Sequence, residues 1–291
     1  MTGKSSLKVI WEPLLKGKFD KYYKEISMAW LWARIHIRAN SRKFLEPGEK
    51  LGYFEGGFQT FTDALVEELK SNNVKILTEK KVTAINSRDK VSIEVDGKIE
   101  KFDKAISTIP SYIFGHLVKE NKEIDEKYLQ KLNEINYLGA VVMVFSSTQN
   151  IGKYYWNNIN DLNKPFLVFL NHTKFIEKEN YNGKYIYYIG AYLPHEHRYF
   201  ETEQSNIEKE WFDALKTIFT DFDQSKISEK HLFKLKNAQH IVGKDYESKI
   251  PSYKTPIENV YLSNFSQIYP EDRGTNYAVR EGRKIANVVN S

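Results

Sequence analysis

Cysteine is absent from all 291 residues, which removes disulfide bonds, thiolate catalysis and Cys-ligated metals or clusters in one step. A reducing cytoplasm fits that absence, and it is the expected location. Long apolar runs are missing too. No stretch approaches the roughly eighteen consecutive apolar residues of a membrane span, and the polar opening Met1–Ser6 has no apolar core of signal-peptide type behind it. Without a secretory signal, the Asn171–His172–Thr173 and Asn264–Phe265–Ser266 triplets carry little weight as glycosylation acceptors. Charge of one sign is scarce: 43 Lys and Arg against 38 Asp and Glu leave +5 along the chain, too little to argue for nucleic acid. Internal repeats and low-complexity linkers are also lacking.

What is present is a folding composition, 41% hydrophobic and 14% aromatic, on a chain long enough for two modest domains or one large one. Leu7 to Phe19 reads as an apolar helix broken near Pro13 and stopped near Gly17. Ser27 is placed to cap a second helix, Met28 to about Ala39, whose apolar residues spread too evenly for one face and predict burial on most sides. Leu51–Phe58 is a glycine-punctuated turn. It opens a helix from Phe58 to Ser71 with Phe58, Phe61, Leu65 and Leu69 on one stripe. Short strands are expected near 75–77, 81–85, 91–95 and 99–102, with Asp96–Gly97 as the hairpin turn. A further strand, 104–107, runs into Thr108–Ile109–Pro110. After a charged helical stretch from 112 to 136, aromatic alternation at 138–145, 166–170 and 185–193 predicts an antiparallel sheet with one face covered. A helix over 203–219 and a strand over 231–241 follow. The fold class is α+β.

The end of the chain is the most informative part. Asn259–Ser263 reads as a strand, 267–274 as a polar loop, and 275–289 as a helix. Gly274 allows a sharp bend and close backbone approach, and Thr275 or Asn276 is placed to cap the helix. Helix starts carry unpaired N–H groups and partial positive charge, which suits an electron-rich or anionic group. A strand–loop–helix is also explained by packing alone. Other constellations read more plainly. His195–Glu196–His197 has two imidazoles at i, i+2 but no third ligand, so a solvated loop is expected and no metal site. Asp221–Phe222–Asp223 reads as a turn at a helix end. Tyr185, Tyr187, Tyr188, Tyr192 and Tyr199 suit either a substrate pocket or ordinary cross-strand packing, and packing is favoured. Arg273 and Arg280 suit either an anion or local ion pairs with Glu271, Asp272 and Glu281. No catalytic residue emerges from spacing.

The run Tyr269–Gly282 resembles the C-terminal flavin-contacting segment of FAD-dependent oxidoreductases of the amine oxidase and protoporphyrinogen oxidase superfamily. Tyr53–Phe58, Val82–Ile85 and Ser107–Pro110 are similar, in order, to that superfamily's second FAD-binding segment. Val9–Phe19 and Ala29–Arg34 look like the start of the substrate domain in a protoporphyrinogen-oxidase-like subgroup. The resemblance implies a small mixed sheet of a partial FAD-binding domain and a substrate domain of antiparallel sheet packed with helices. By segment it implies 1–50 as the helical part of the substrate domain, 51–111 as the second FAD-binding segment, 112–257 as the substrate domain with its sheet, and 258–291 as the flavin-contacting end. For FAD it implies Val82 backbone bonds to the adenine, Thr108 and Pro110 along the dinucleotide, and Gly56 and Gly57 at a close backbone approach. Gly274, Thr275 and Asn276 would lie beneath the isoalloxazine.

Two departures matter. The superfamily's Gly-x-Gly-x-x-Gly turn holds the pyrophosphate on a helix N-terminus, and no Gly-x-Gly occurs in these 291 residues. The superfamily's Gly-Asp after the last strand is Asn264–Phe265 here. The chain therefore looks like the C-terminal two-thirds of such an oxidase, partnered by a dinucleotide-binding polypeptide and acting on a small apolar substrate. Alone, it should bind FAD weakly or not at all, since lost phosphate contacts cost several kcal/mol, or thousands-fold in affinity. A non-catalytic binding or assembly module and an FAD-dependent mutase related to UDP-galactopyranose mutase are the alternatives. Apolar surface is expected around Val82–Ile85 and Ala105–Thr108, which favours a homodimer.

Overall fold

A computed structural model describes residues 3–40 and 51–291; positions 41–50 of the expected first segment lie outside the described residues. In chain order the helices are α1 (Gly3–Ser6), α2 (Glu12–Phe19), α3 (Met28–Asn40), α4 (Phe58–Ser71), α5 (Ser111–Val118), α6 (Glu126–Asn133), α7 (Gln204–Ile218), α8 (Tyr246–Lys249) and α9 (Thr275–Asn290). The strands are β1 (Val82–Ser87), β2 (Val91–Val95), β3 (Lys98–Phe102), β4 (Ala105–Ser107), β5 (Tyr137–Ser147), β6 (Trp156–Asn158), β7 (Val168–Asn171), β8 (Tyr185–Leu193), β9 (Ile227–His240) and β10 (Val260–Leu262). The architecture is α+β. Two compact units form, residues 1–27 with 135–246 and residues 28–134 with 247–291.

The first unit is built on a five-stranded antiparallel sheet in the order β6–β7–β8–β5–β9. Period-two alternation decides its faces. Val141, Met143 and Phe145 of β5, Tyr187 and Ile189 of β8, and Phe169 of β7 point to one side, where they bury with Trp211, Phe212 and Leu215 of α7. The tyrosines divide by the same rule. Tyr187 is fully buried, its hydroxyl accepting from Ile151 N–H and donating to the Gln149 carbonyl; Tyr199, off the sheet, is buried against Trp211. Tyr188 and Tyr192 fall on the opposite face. Gly139 sits in β5 where the pairing with β9 shifts register. A Cβ there would meet Phe200 Cζ at 2.2 Å, so only glycine admits that ring.

Pro13 lies in the first turn of α2, which its missing N–H tolerates, and a widened π-turn over Leu7–Trp11 precedes it. The helix then runs through Gly17 to Phe19 rather than stopping. Gly17 is instead a packing position, with Leu167 3.4 Å from where a Cβ would stand.

The second unit holds the meander β1–β2–β3 and the parallel pair β4–β10. Asp96 (φ 50°) and Gly97 (φ 77°) turn the β2–β3 hairpin, as the sequence predicts. Residues 75–77 form no strand, although one is expected there; Ile76 and Leu77 are exposed, with no neighbouring strand among the described residues to complete a ladder. Ile85, Val91, Phe114, Val118, Leu132, Val260 and Leu262 share one core. Helix α3 contradicts the expectation of all-round burial: only Trp30 and Ala33 are buried, while Met28, Trp32, Ile35 and Ile37 are exposed. The stripe on α4 is present but uncovered, with no buried residue in the helix.

Candidate functional site

Parallel strands β4 and β10 pair Ala105 with Val260 and Ser107 with Leu262. Both chains therefore leave the pair at the same end, where open α/β folds bind ligands. From β4 the backbone enters Thr108–Ile109–Pro110 and then α5; from β10 it enters Ser263–Asn264 and the loop to α9. Ser263 N–H donates to the Ser107 carbonyl at 2.9 Å, so the two exits run side by side. Thr108 is exposed and Pro110 half-buried. Val82, at the start of β1, packs with Ala105 and Ile109 against the core that holds Val260 and Leu262.

Asn264 is the knot of this junction. It is 7% exposed. Its amide nitrogen donates to the Ile109 carbonyl at 2.8 Å and to Ser111 Oγ at 3.2 Å. The amide oxygen accepts from Ser266 N–H at 3.0 Å and from the Ser266 hydroxyl. Gln267 closes a capping box by accepting from Asn264 N–H at 2.7 Å. With that side chain fully committed inside the protein, the position has no free polar group for a ligand. The Asn-x-x-Gln spacing was the available signal, and the sequence reading missed it. As a sugar acceptor the triplet is closed, and Asn171 is likewise fully buried.

Ion pairs hold the loop between Gln267 and α9. Arg280 grips Glu271 through two nitrogens, at 3.1 and 3.4 Å, and reaches Glu281 at 3.0 Å. That grip raises the guanidinium pKa, chiefly through the Glu271 hydrogen bond. Asp272, 4% exposed, lies 3.9 Å from Arg34 and 3.6 Å from Arg273. Burial pushes the Glu281 carboxyl up, but Lys284, Tyr253 and Arg280 outweigh it and hold the group below the usual range. Tyr253, half-buried and bonded to Glu281, is raised to about 12, chiefly by desolvation. The two candidate arginines thus have acidic partners within the protein.

Helix α9 begins at Gly274, not at a capping Thr275 or Asn276. No side chain caps its first amides, and Thr275 and Asn276 are exposed in the first turn. Gly274 has φ −179°, an extended backbone open to any residue. A Cβ there would sit 2.8 Å from Asn276 Oδ1, the far end of an exposed side chain that can swing aside. Gly56 and Gly57 differ, at φ 80° and 91°, a region that glycine favours. They complete a turn closed by Gly57 N–H to the Phe54 carbonyl at 2.8 Å and lead into α4, which also starts without a side-chain cap. Both helices that begin at candidate glycines therefore present bare N–H groups, the donor set an electron-rich ring edge or an anion requires.

The remaining constellations are accounted for by local structure. Glu196 pairs with Lys21 at 2.8 Å and His197 Nδ1 accepts from Tyr199 N–H at 3.2 Å. Asp223 caps a short turn by accepting from Ser225 N–H at 2.9 Å. A groove of about 430 Å³, lined by Glu247, Ile250, Pro251, Ser252, Tyr253 and Gln267, includes none of the predicted residues. Among the described residues no helix is long and apolar enough to cross a membrane.

Comparison with known proteins bears on the fold and the family. No curated protein gave a significant sequence match. A protein named as protoporphyrinogen oxidase from Exiguobacterium sp. 255-15 superposes with a TM-score of 0.72 at 13% identity, covering 97% of this chain and 63% of that one. Reduced UDP-galactopyranose mutase gives 0.65 at 14%, covering 85% and 55%. An oxidoreductase from Methanosarcina mazei gives 0.55 at 18%, covering 72% and 49%. The chain thus spans about half to under two-thirds of the solved structures it resembles. At these identities the likeness establishes the fold. The sequence profile of flavin-containing amine oxidoreductases matches residues 10–290, and the chain belongs to that family.

Proposed function

We propose that this chain is the substrate-domain-bearing portion of an FAD-dependent oxidoreductase of the amine oxidase and protoporphyrinogen oxidase type. It oxidises a small apolar substrate when a dinucleotide-binding unit completes it. The observation that carries this reading is the parallel pair β4–β10. Parallel strands normally lie inside larger sheets with both faces covered. Ala105 N–H and the Ser107 carbonyl are turned toward β10, so the backbone groups of Ile106 face the other way. No strand pairs there among the described residues, and Ile106 is 44% exposed. The α4 stripe is also uncovered, with Phe58 51% and Leu65 48% exposed. A strand–helix–strand unit carrying the pyrophosphate turn would cover such surfaces, and more than a third of the Exiguobacterium structure has no counterpart here.

The residues present fit the flavin end of the cofactor. The uncapped amides of Thr275 and Asn276 and the turn at Gly56–Gly57 offer donors and close approach, while Val82, Thr108 and Pro110 stand ready for the dinucleotide. Bound FAD would supply the hydride acceptor. For an apolar substrate, the sheet face opposite α7 presents Val142, Val144, Tyr188, Phe233 and Trp156, an apolar surface with Phe233 and Trp156 more than half exposed. Full commitment of Asn264 to internal bonds supports a second reading, a non-catalytic module that keeps the scaffold. Co-expression with a polypeptide carrying strand–Gly-x-Gly-x-x-Gly–helix tests both. A co-purified pair with a flavin absorption band supports the oxidase; a pair that assembles without flavin supports the module. A chain that purifies alone loaded with FAD refutes the need for a partner.

A further inference from the structure

Strand β3 is the outer edge of the meander. It pairs with β2 over Lys98–Phe102, and no strand lies on its other side among the described residues. All five of its residues are exposed, Ile99 at 69% and Phe102 at 41%. An edge of this kind presents a row of unpaired N–H and C=O groups ready for another strand. Lys98 and Glu100 flank Ile99, and neither forms an ion pair with another described residue.

We infer that β3 pairs antiparallel with β3 of a second copy, in a register centred on Ile99. The argument is one of symmetry. Directly opposed residues share a face of the sheet, so a two-fold axis normal to it must pass through a single residue position. A centre at Lys98 or Lys101 sets like charges opposite each other, and a centre at Glu100 does the same. A centre at Phe102 sets Lys101 against Asp103, which lies past the strand end and already pairs with Lys90 at 2.9 Å. A centre at Ile99 keeps its charge-matched positions, 98 to 100, inside the strand and is the register favoured. There Ile99 meets its symmetry mate, while each Lys98 faces a Glu100 of the other copy. Two exposed isoleucines and two complementary charge pairs close a continuous six-stranded sheet. A foreign strand would require no such self-complementarity. The inference does not rest on flavin binding.

Analytical ultracentrifugation of the full chain over a wide concentration range is the test. The wild type should show a concentration-dependent dimer. Lys98→Glu places like charges opposite each other twice and should weaken that dimer about tenfold. The double variant Lys98→Glu/Glu100→Lys should restore it. Hydrogen exchange of amides 98–102 should slow as the dimer forms. All these positions are exposed, and unchanged circular dichroism will report a native monomer. A strictly monomeric wild type overturns the inference, as does a dimer indifferent to Lys98→Glu or one that the double variant does not recover.

Discussion

Replacing Asn264 with Ala should destabilise the protein far more than a typical polar substitution. Asn264 makes four side-chain hydrogen bonds, to the Ile109 carbonyl, Ser111 Oγ, Ser266 N–H and the Ser266 hydroxyl. Ser111 and Ser266 are fully buried, so water cannot replace the lost partner. A net hydrogen bond is worth about 1 kcal/mol, and a stranded buried group costs about 1–3 kcal/mol. The two hydroxyls retain each other at 3.2 Å, which leaves the Ile109 carbonyl and the Ser266 amide as the main losses. About 3 kcal/mol is therefore expected, and a fall in Tm of roughly 5 °C for a chain of 291 residues. Asn264→Asp keeps the acceptor toward Ser266 but sets a carboxylate against the Ile109 carbonyl; it should lose about 2 kcal/mol or more at neutral pH and recover part of that loss in mild acid. Thermal and urea unfolding read both variants. If Asn264→Ala stays within about 0.5 kcal/mol of wild type, the view of this residue as the tie between the two strand exits is wrong.

Three further outcomes are expected. Gly139→Ala should cost about 2 kcal/mol or more in urea unfolding, because its methyl would collide with Phe200 and lie 2.8 Å from the Leu235 carbonyl. His172 is buried, bonded to Tyr181 at 2.7 Å, and held below its ordinary pKa by desolvation. Its unfolded form binds the proton more readily, so the stability it provides is complete above about pH 6.5 and falls as pH drops through the lowered native value. A His172→Gln variant should flatten the Tm profile between about pH 6.5 and 5, where carboxylates have yet to titrate. Phe58→Ser and Leu65→Ser should leave Tm within about 2 °C, since both side chains face solvent, yet abolish co-purification with a completing polypeptide; retained assembly would remove α4 from that interface.

Much of the fold was legible from local chemistry. Asp96–Gly97 encodes its hairpin because those residues accept positive φ. The aromatic alternation of 138–145 and 185–193 reports a sheet with one dry face because successive side chains point opposite ways. Period two also separates Tyr187, which is buried, from Tyr188, which is not. Boundaries and burial were less accessible. Residues 75–77 carry the apolar Ile76 and Leu77 yet have no ladder to join among the described residues, and α3 is apolar on most sides yet exposes Met28, Trp32, Ile35 and Ile37. Hydrophobicity states what a segment would bury, not whether a neighbour is there to bury it. Of the apolar surface expected around Val82–Ile85 and Ala105–Thr108, Ile106 is exposed, but Ile85 is buried in the core with Val91, and further exposure falls on Ile99 and Phe102.

The sequence by itself determined the strand–loop–helix at the C-terminus, the glycine turn before α4, and the family those features signal, because each depends on residues adjacent in the chain. Only the tertiary structure decided that Asn264 closes onto Ile109 and Ser111, some 150 residues earlier, and that Arg280 and Asp272 hold the loop ahead of α9. Spacing along a chain carries no information about which distant carbonyl will need a donor; that need arises when two parallel strands leave their sheet side by side and water is excluded between them.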